Sequence, residues 1–175
     1  MTMASVHGRE LVQFARGKLK EALGGAIVTP PRGEWTSEER ATFVTLRWPN
    51  DELQGCIGSL RPRQNVVDDV AHNVVAAGLY DPRAAMLALE DVDELVIEVS
   101  LLGPLEPITY DRIQPGKDGI VFQWRHHRST YLPVMWEHFS TKSEFMASLK
   151  EKAGLDPDFD APDVKLFRYG VEKFS

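Results

Sequence analysis

ATFVTLRWPNDELQGCIGSL, residues 41–60, contains two extended segments joined by a turn. From Ala41 to Trp48 the pattern alternates, with Val44, Leu46 and Trp48 on one face. Pro49-Asn50-Asp51 is turn chemistry, and Leu53 to Leu60 reads as the returning strand of a hairpin. Upstream, Thr29-Pro30-Pro31-Arg32-Gly33 is a loop. Before it, a helix is expected from Ser5, its N-cap, to Leu23, burying Leu11, Phe14, Ala15, Leu19, Ala22 and Leu23 and ending at Gly24-Gly25. Downstream, Asn65 caps a Val-rich helix reaching Leu79, with Asp68 and Asp69 at its positive end. Such a helix has poor intrinsic propensity and needs burial to persist.

Leu95 to Leu102 alternates again: Leu95, Ile97, Val99 and Leu101 oppose Val96, Glu98, Ser100 and Leu102. Pro104 to Gly119 is expected to be largely irregular. Ile120–Trp124 and Thr130–Leu132 make a second hairpin with Arg125-His126-His127-Arg128 at its tip. Thr141 and Glu144 form a capping box for a helix that buries Phe145, Met146, Leu149 and Ala153 and stops at Gly154. Val164 to Phe174 reads as one last strand. The result is an α+β fold, an antiparallel sheet with about three helices. Strands and helices do not alternate regularly and no Gly-rich phosphate loop occurs, which disfavours a doubly wound nucleotide fold.

At 175 residues the chain suits one domain, with room for a small satellite lobe. Twenty Lys and Arg against 26 Asp and Glu give a net charge of −6, which argues against a protein built to grip nucleic acid. One cysteine allows no internal disulfide, as in a cytoplasmic protein. No apolar run approaches the ~20 residues of a membrane span, and MTMASVHGRE lacks the apolar region of a secretory signal.

Chemistry concentrates at Leu53-Gln54-Gly55-Cys56-Ile57-Gly58-Ser59-Leu60. Glycines inside a strand mark a bulge or the close approach of another group to the backbone. Cys56 lies between them, on a face with Gln54 and Gly58. It reads either as a nucleophile or metal ligand, with Arg61 and Arg63 available to favour the thiolate, or as a small buried hydrophobe beside a bulge. Glu98 is either a base near that thiol or part of the wet side of its strand. Asp81-Pro82-Arg83 is a functional loop or a turn with a structural ion pair. His126 and His127 suit a solvated tip. His72 suits an ion pair with Asp68 one turn away, and His138 has no second ligand at metal spacing. Without CxxC, HExxH, G-x-S-x-G or a Walker lysine, no metal and no cofactor are expected.

Taken together, LQGCIGSL (53–60), DPR (81–83), ELVIEVSLLGPLEPI (94–108), GKDGIVF (116–122), YLPVMWE (131–137) and EFMASLKEKAGL (144–155) resemble the AMMECR-type domain family, from about Ala41 to Phe174. That family takes its name from a chromosomal region linked to Alport syndrome, midface hypoplasia and elliptocytosis. Three positions depart from its pattern: Gln54 for an arginine, Ala84 for a phenylalanine, and Val134 for a glutamine. The resemblance implies an antiparallel sheet with a smaller lobe and a cleft at the Gly-Cys-Ile-Gly segment. It also implies association with a Memo-like protein and a radical-SAM enzyme. On this reading Gly55, Gly58, Ser59, Arg61, Asp81 and Arg83 bind a small molecule or peptide. The chain is then a non-catalytic partner protein or, alternatively, an enzyme using Cys56 and Glu98.

Overall fold

The expected first hairpin forms, and the rest of its sheet assembles around it. The computed structural model describes residues 3–175. In chain order the elements are α1 (Met3–Ala22), β1 (Thr42–Arg47), β2 (Leu53–Gly58), α2 (Val66–Val75), β3 (Val96–Leu102), β4 (Glu106–Pro107), β5 (Gly119–Trp124), β6 (His127–Tyr131), α3 (Lys142–Lys152), β7 (Lys165–Tyr169) and β8 (Val171–Phe174). They fall into two compact units, one comprising residues up to Leu102 with Glu172–Ser175, the other Gly103–Val171. Among the described residues no helix is long and apolar enough to cross a membrane.

In the first unit the strand order is β2-β1-β3-β8, and β1 runs antiparallel to both of its neighbours. Val44, Leu46, Ile97 and Val99 turn one face of this sheet toward Leu11, Ala15 and Leu19 of α1 and Val66, Val70 and Val74 of α2, all essentially inaccessible. That burial is what lets the Val-rich α2 persist. Asn65 caps α2 as expected, its side chain accepting from the Asp68 amide at 2.9 Å. Several local expectations are corrected. Ser5 lies inside α1 rather than at its cap, and Ala22 is exposed. Asp68 accepts from Asn65 Nδ2 at 2.7 Å, and among the described residues it forms no ion pair with His72. Ser100 and Leu102, on the same face of β3 as Val96 and Glu98, are buried. The α-helical turns of α2 end at Val75 and give way to a wider π-helical turn, Ala76–Tyr80.

Asp69 is not a surface charge at a helix start. It is buried, and its Oδ2 accepts from the Thr42 amide (3.1 Å), Thr42 Oγ1 (2.6 Å) and Asn73 Nδ2 (3.2 Å). Asn73 Nδ2 also reaches the Thr42 carbonyl at 3.3 Å, so one polar cluster ties α2 to the start of β1.

The second unit carries a sheet of order β4-β7-β5-β6 around Ile113, Ile120, Phe122, Trp136, Phe145, Met146 and Leu149. Trp136 stacks on Phe145 with ring centroids 3.6 Å apart. The Thr141–Glu144 capping box of α3 is complete, and Gly154 takes the positive φ of 82° that ends the helix. Here too the reading needs correction. The hairpin turn is only Arg125-His126; His127 and Arg128 belong to β6, and His127 Nδ1 bonds the Ala153 carbonyl at 2.8 Å. The segment Pro104–Gly119 is largely irregular as expected, apart from the two-residue strand β4 and the short turn Tyr110–Arg112. Val164–Phe174 is not one strand: it divides at Gly170 into β7 and β8, which belong to different sheets.

Candidate functional site

The β1–β2 register slips by one residue between Leu46 and Arg47, where Leu46 faces Gly55 and Arg47 faces Leu53, so Gln54 is the extra residue of a bulge. The bulge re-aims its side chain. Gln54 does not share a face with Cys56 but is fully buried, donating through Nε2 to the carbonyls of Gly78 (3.1 Å) and Ala85 (2.8 Å). Its Oε1 accepts from Trp48 Nε1 at 3.0 Å. Every polar atom of this buried amide is therefore engaged.

Asp81 makes the second tie. Its Oδ2 accepts from the Cys56 amide (2.9 Å) and Arg83 Nη2 (2.9 Å), and its Oδ1 from the Arg83 amide (2.9 Å) and Nε (3.0 Å). The side chain is 1% exposed, whereas that of Arg83 is 61% exposed. Hydrogen bonds from the Arg83 side chain hold the Asp81 carboxyl far below the usual carboxylate range; desolvation opposes them, and the amides of Cys56 and Arg83 add to them. The same bonds raise Arg83 against its desolvation, with further Coulombic contributions from Asp81 and Cys56. Since β2 is an edge strand, the Cys56 amide is covered by a carboxylate rather than left as an exposed donor.

Cys56 itself is half-buried, its Sγ 3.2 Å from the Thr45 hydroxyl that donates to it. Thr45 pairs with Cys56 on one side and Glu98 on the other, so the three form one row across the sheet with Thr45 in the middle. Glu98 lies 3.6 Å from Lys173 Nζ. The row separates Glu98 from the thiol by a whole strand.

Both glycines answer to packing. A Cβ at Gly55 would lie 1.9 Å from the Ala77 carbonyl oxygen, and one at Gly58 would lie 2.3 Å from the Thr42 carbonyl oxygen and 2.4 Å from the Phe43 ring. Close approach is therefore what Gly55 and Gly58 mark, of the π-helical turn to one and of β1 to the other. Ser59 Oγ donates to the Arg61 carbonyl at 2.8 Å, while Arg61 and Arg63 are exposed; the guanidinium tied to this strand is that of Arg83, through the Asp81 carboxylate that also accepts from the Cys56 amide.

Structure therefore unites Gly55, Cys56, Asp81 and Arg83, and leaves Glu98 and Arg61 outside their contacts. It adds residues the sequence reading missed: Gln54 and Thr45 as partners, and Tyr80 and Met86, which are 75% and 99% exposed on either side of Asp81 and Arg83. A glutamine beside glycine in an apolar strand is a bulge signal, and Tyr80 next to Asp-Pro stands off the Val stripe of α2. Both were legible in retrospect. Among the described residues no group of three or more His, Cys, Asp or Glu could hold a metal ion.

Comparison with known proteins gives the family of the chain. Protein MJ0810 of Methanocaldococcus jannaschii is 34% identical over 95% of this chain and 89% of its own. A protein of Thermotoga maritima is 30% identical over 86% of this chain and 87% of its own. The crystal structure of protein PH0010 from Pyrococcus horikoshii superposes with a TM-score of 0.82 at 32% identity, covering 95% of this chain and 89% of that one. The sequence profile named AMMECR1 matches residues 12–174, and with these relatives it makes the chain a member of the AMMECR1 family.

Proposed function

We propose that this protein is a cytoplasmic, non-catalytic binding protein that presents the loop Tyr80–Met86, clamped on the Gly-Cys-Ile-Gly strand, to a Memo-like and a radical-SAM partner. The observation that carries this reading is the contrast between the loop's anchors and its tip. Gln54 and Asp81 hold its base with four buried or half-buried hydrogen bonds, to the Ala85 carbonyl and to the amide and side chain of Arg83. Tyr80, Arg83 and Met86 project into solvent. Tyr, Arg and Met are the residue types enriched at protein interfaces, and a pre-organised loop spends little entropy on docking. Titration calorimetry with the purified Memo-like and radical-SAM proteins of the same organism tests it. The double substitution Tyr80→Ser with Met86→Ser should weaken binding by about tenfold or more at unchanged melting temperature. Unchanged affinity, or no binding by the parent protein, refutes it.

A Cys56-dependent reaction on a small molecule or peptide is the second reading, favoured by the half-buried sulfur on a residue whose amide shares the Asp81 carboxylate with Arg83. Against it, Asp81 is locked as an anion by Arg83 and Glu98 is engaged with Lys173, which leaves neither free to take a proton from the thiol. Iodoacetamide labelling of the native protein separates the two. Modification of Cys56 as fast as a free thiol supports thiol chemistry, and labelling limited by unfolding removes it.

A further inference from the structure

Within the first unit lies a cavity of about 600 Å³ that shares no residue with the Cys56 cluster. Its volume falls within the roughly 300–1,000 Å³ typical of small-molecule sites. Leu11, Val66 and Leu101, at 0%, 2% and 8% exposure, contribute apolar surface from α1, α2 and β3. Aromatic surface comes from His7, Trp35 and Phe174, with the His7 and Trp35 rings stacked at 4.4 Å and 11°. Glu34, Glu38 and Glu172 complete the lining with Arg40, whose Nη2 lies 3.3 Å from Glu172 Oε1.

The aromatic wall is built in advance of any ligand. Gly33, at φ 141°, lies against the Trp35 indole; a Cβ there would come within 2.9 Å of the ring. The single 3-10 turn Glu34–Ser37 is closed by Thr36 Oγ1 donating to the Gly33 carbonyl and Ser37 Oγ donating to the Glu34 carbonyl, both at 2.7 Å. The Val66 amide donates to the Glu38 carbonyl at 2.8 Å, which fixes this segment to the start of α2.

Charge then selects the ligand. Three carboxylates line the cavity against one guanidinium, and that guanidinium is already paired with Glu172. An anion would meet repulsion from Glu34 and Glu38. A neutral apolar molecule would leave their charge unused. A cation with an apolar body satisfies all the surfaces at once, its charge against the carboxylates and its body on the aromatic and aliphatic residues. We propose that this cavity binds a small organic ammonium ion carrying an alkyl or aryl group.

Phenethylammonium, its neutral analogue 2-phenylethanol and the anion hydrocinnamate are suitable probes of the full-length protein, by calorimetry and thermal shift. The ammonium ion should bind about tenfold or more tightly than the alcohol and raise the melting temperature, and hydrocinnamate should not bind. Glu34→Gln with Glu38→Gln, both exposed positions whose replacement leaves the fold intact, should reduce ammonium affinity by about tenfold and leave the weak alcohol binding unchanged. Trp35→Leu should lower it independently of the carboxylates. Equal binding of amine and alcohol, undiminished affinity in the Glu34/Glu38 variant, or no binding of the amine at millimolar concentration would overturn the assignment.

Discussion

Asp81 shows how much a single buried carboxylate can decide. It lies at the free edge of β2, almost inaccessible, with four donors converging on its two oxygens. The ordinary carboxyl value is 3.8, and its folded value is displaced downward chiefly by the Arg83 hydrogen bonds. The folded state therefore binds its proton less readily than the unfolded chain does. The stabilisation is complete above about pH 4 and is lost as the pH falls toward the folded value. Urea unfolding followed from about pH 7 to about pH 3 should show a midpoint that drops below pH 4. In Asp81→Asn that drop should be shallower, and stability at neutral pH should be lower by about 2 kcal/mol, because an amide cannot replace the charge-assisted acceptors. Gly55 is the neighbouring case. Its Cβ position is occupied at 1.9 Å by the Ala77 carbonyl oxygen, which is backbone and cannot swing aside. Gly55→Ala should cost about 3 kcal/mol in chemical denaturation. Gly170→Ala, where no atom lies within 4 Å of the added methyl, should stay within about 1 kcal/mol of the parent.

Among the elements, α2 with its π-helical turn is the piece that joins core to site. Its valines face the sheet, its buried Asp69 and Asn73 grip Thr42, and the Gly78 carbonyl of its π-helical turn accepts from Gln54. Asn73→Ala should remove bonds to the Thr42 carbonyl and hydroxyl and lower stability by about 1–2 kcal/mol, measured as a shift in the urea midpoint at unchanged slope. The periodicity of the valines, the Asn65 cap and the alternation of β1 and β3 were all readable from the chain, because they are local patterns with a fixed repeat. What periodicity could not convey was non-local. Asp69 looks like a helix-dipole residue until Thr42, 27 positions away, is found against it. Gln54 looks like a lost arginine until the register slip turns it inward. The division at Gly170 was hidden for the same reason: β7 and β8 have the same extended pattern, and only pairing partners distant in the chain, β4 and β5 for β7 and β3 for β8, assign them to different sheets. Cys56 and Asp81-Pro82-Arg83 stand out separately in the sequence, and the Asp81 carboxylate joins them through the Cys56 amide. That the glycines mark close approach was legible too, but which groups approach, the Ala77 carbonyl and β1, was not.

The two compact units have separate interiors. One cluster runs through Leu11, Val44, Val70 and Ile97, the other through Ile120, Phe122, Trp136 and Phe145, and they share no buried residue. The second unit is a continuous stretch of chain, whereas the first needs its last strand, β8, returned from the far end of the sequence. A defect confined to one interior should accordingly be felt there first. Phe145 is fully buried and in ring contact with Trp136, Tyr131 and Phe139, so Phe145→Ala removes the centre of the second cluster. Its local cost should be about 3–5 kcal/mol. Native-state hydrogen exchange reads where that cost lands. Amides of Val121, Phe122 and Leu149 should lose protection by the full amount, and those of Val44, Leu46 and Val99 should keep most of theirs. Equal loss at all six positions would mean that both clusters open in one cooperative step, in which case the thiol and its clamped loop would depend on the Phe145 core as much as on their own.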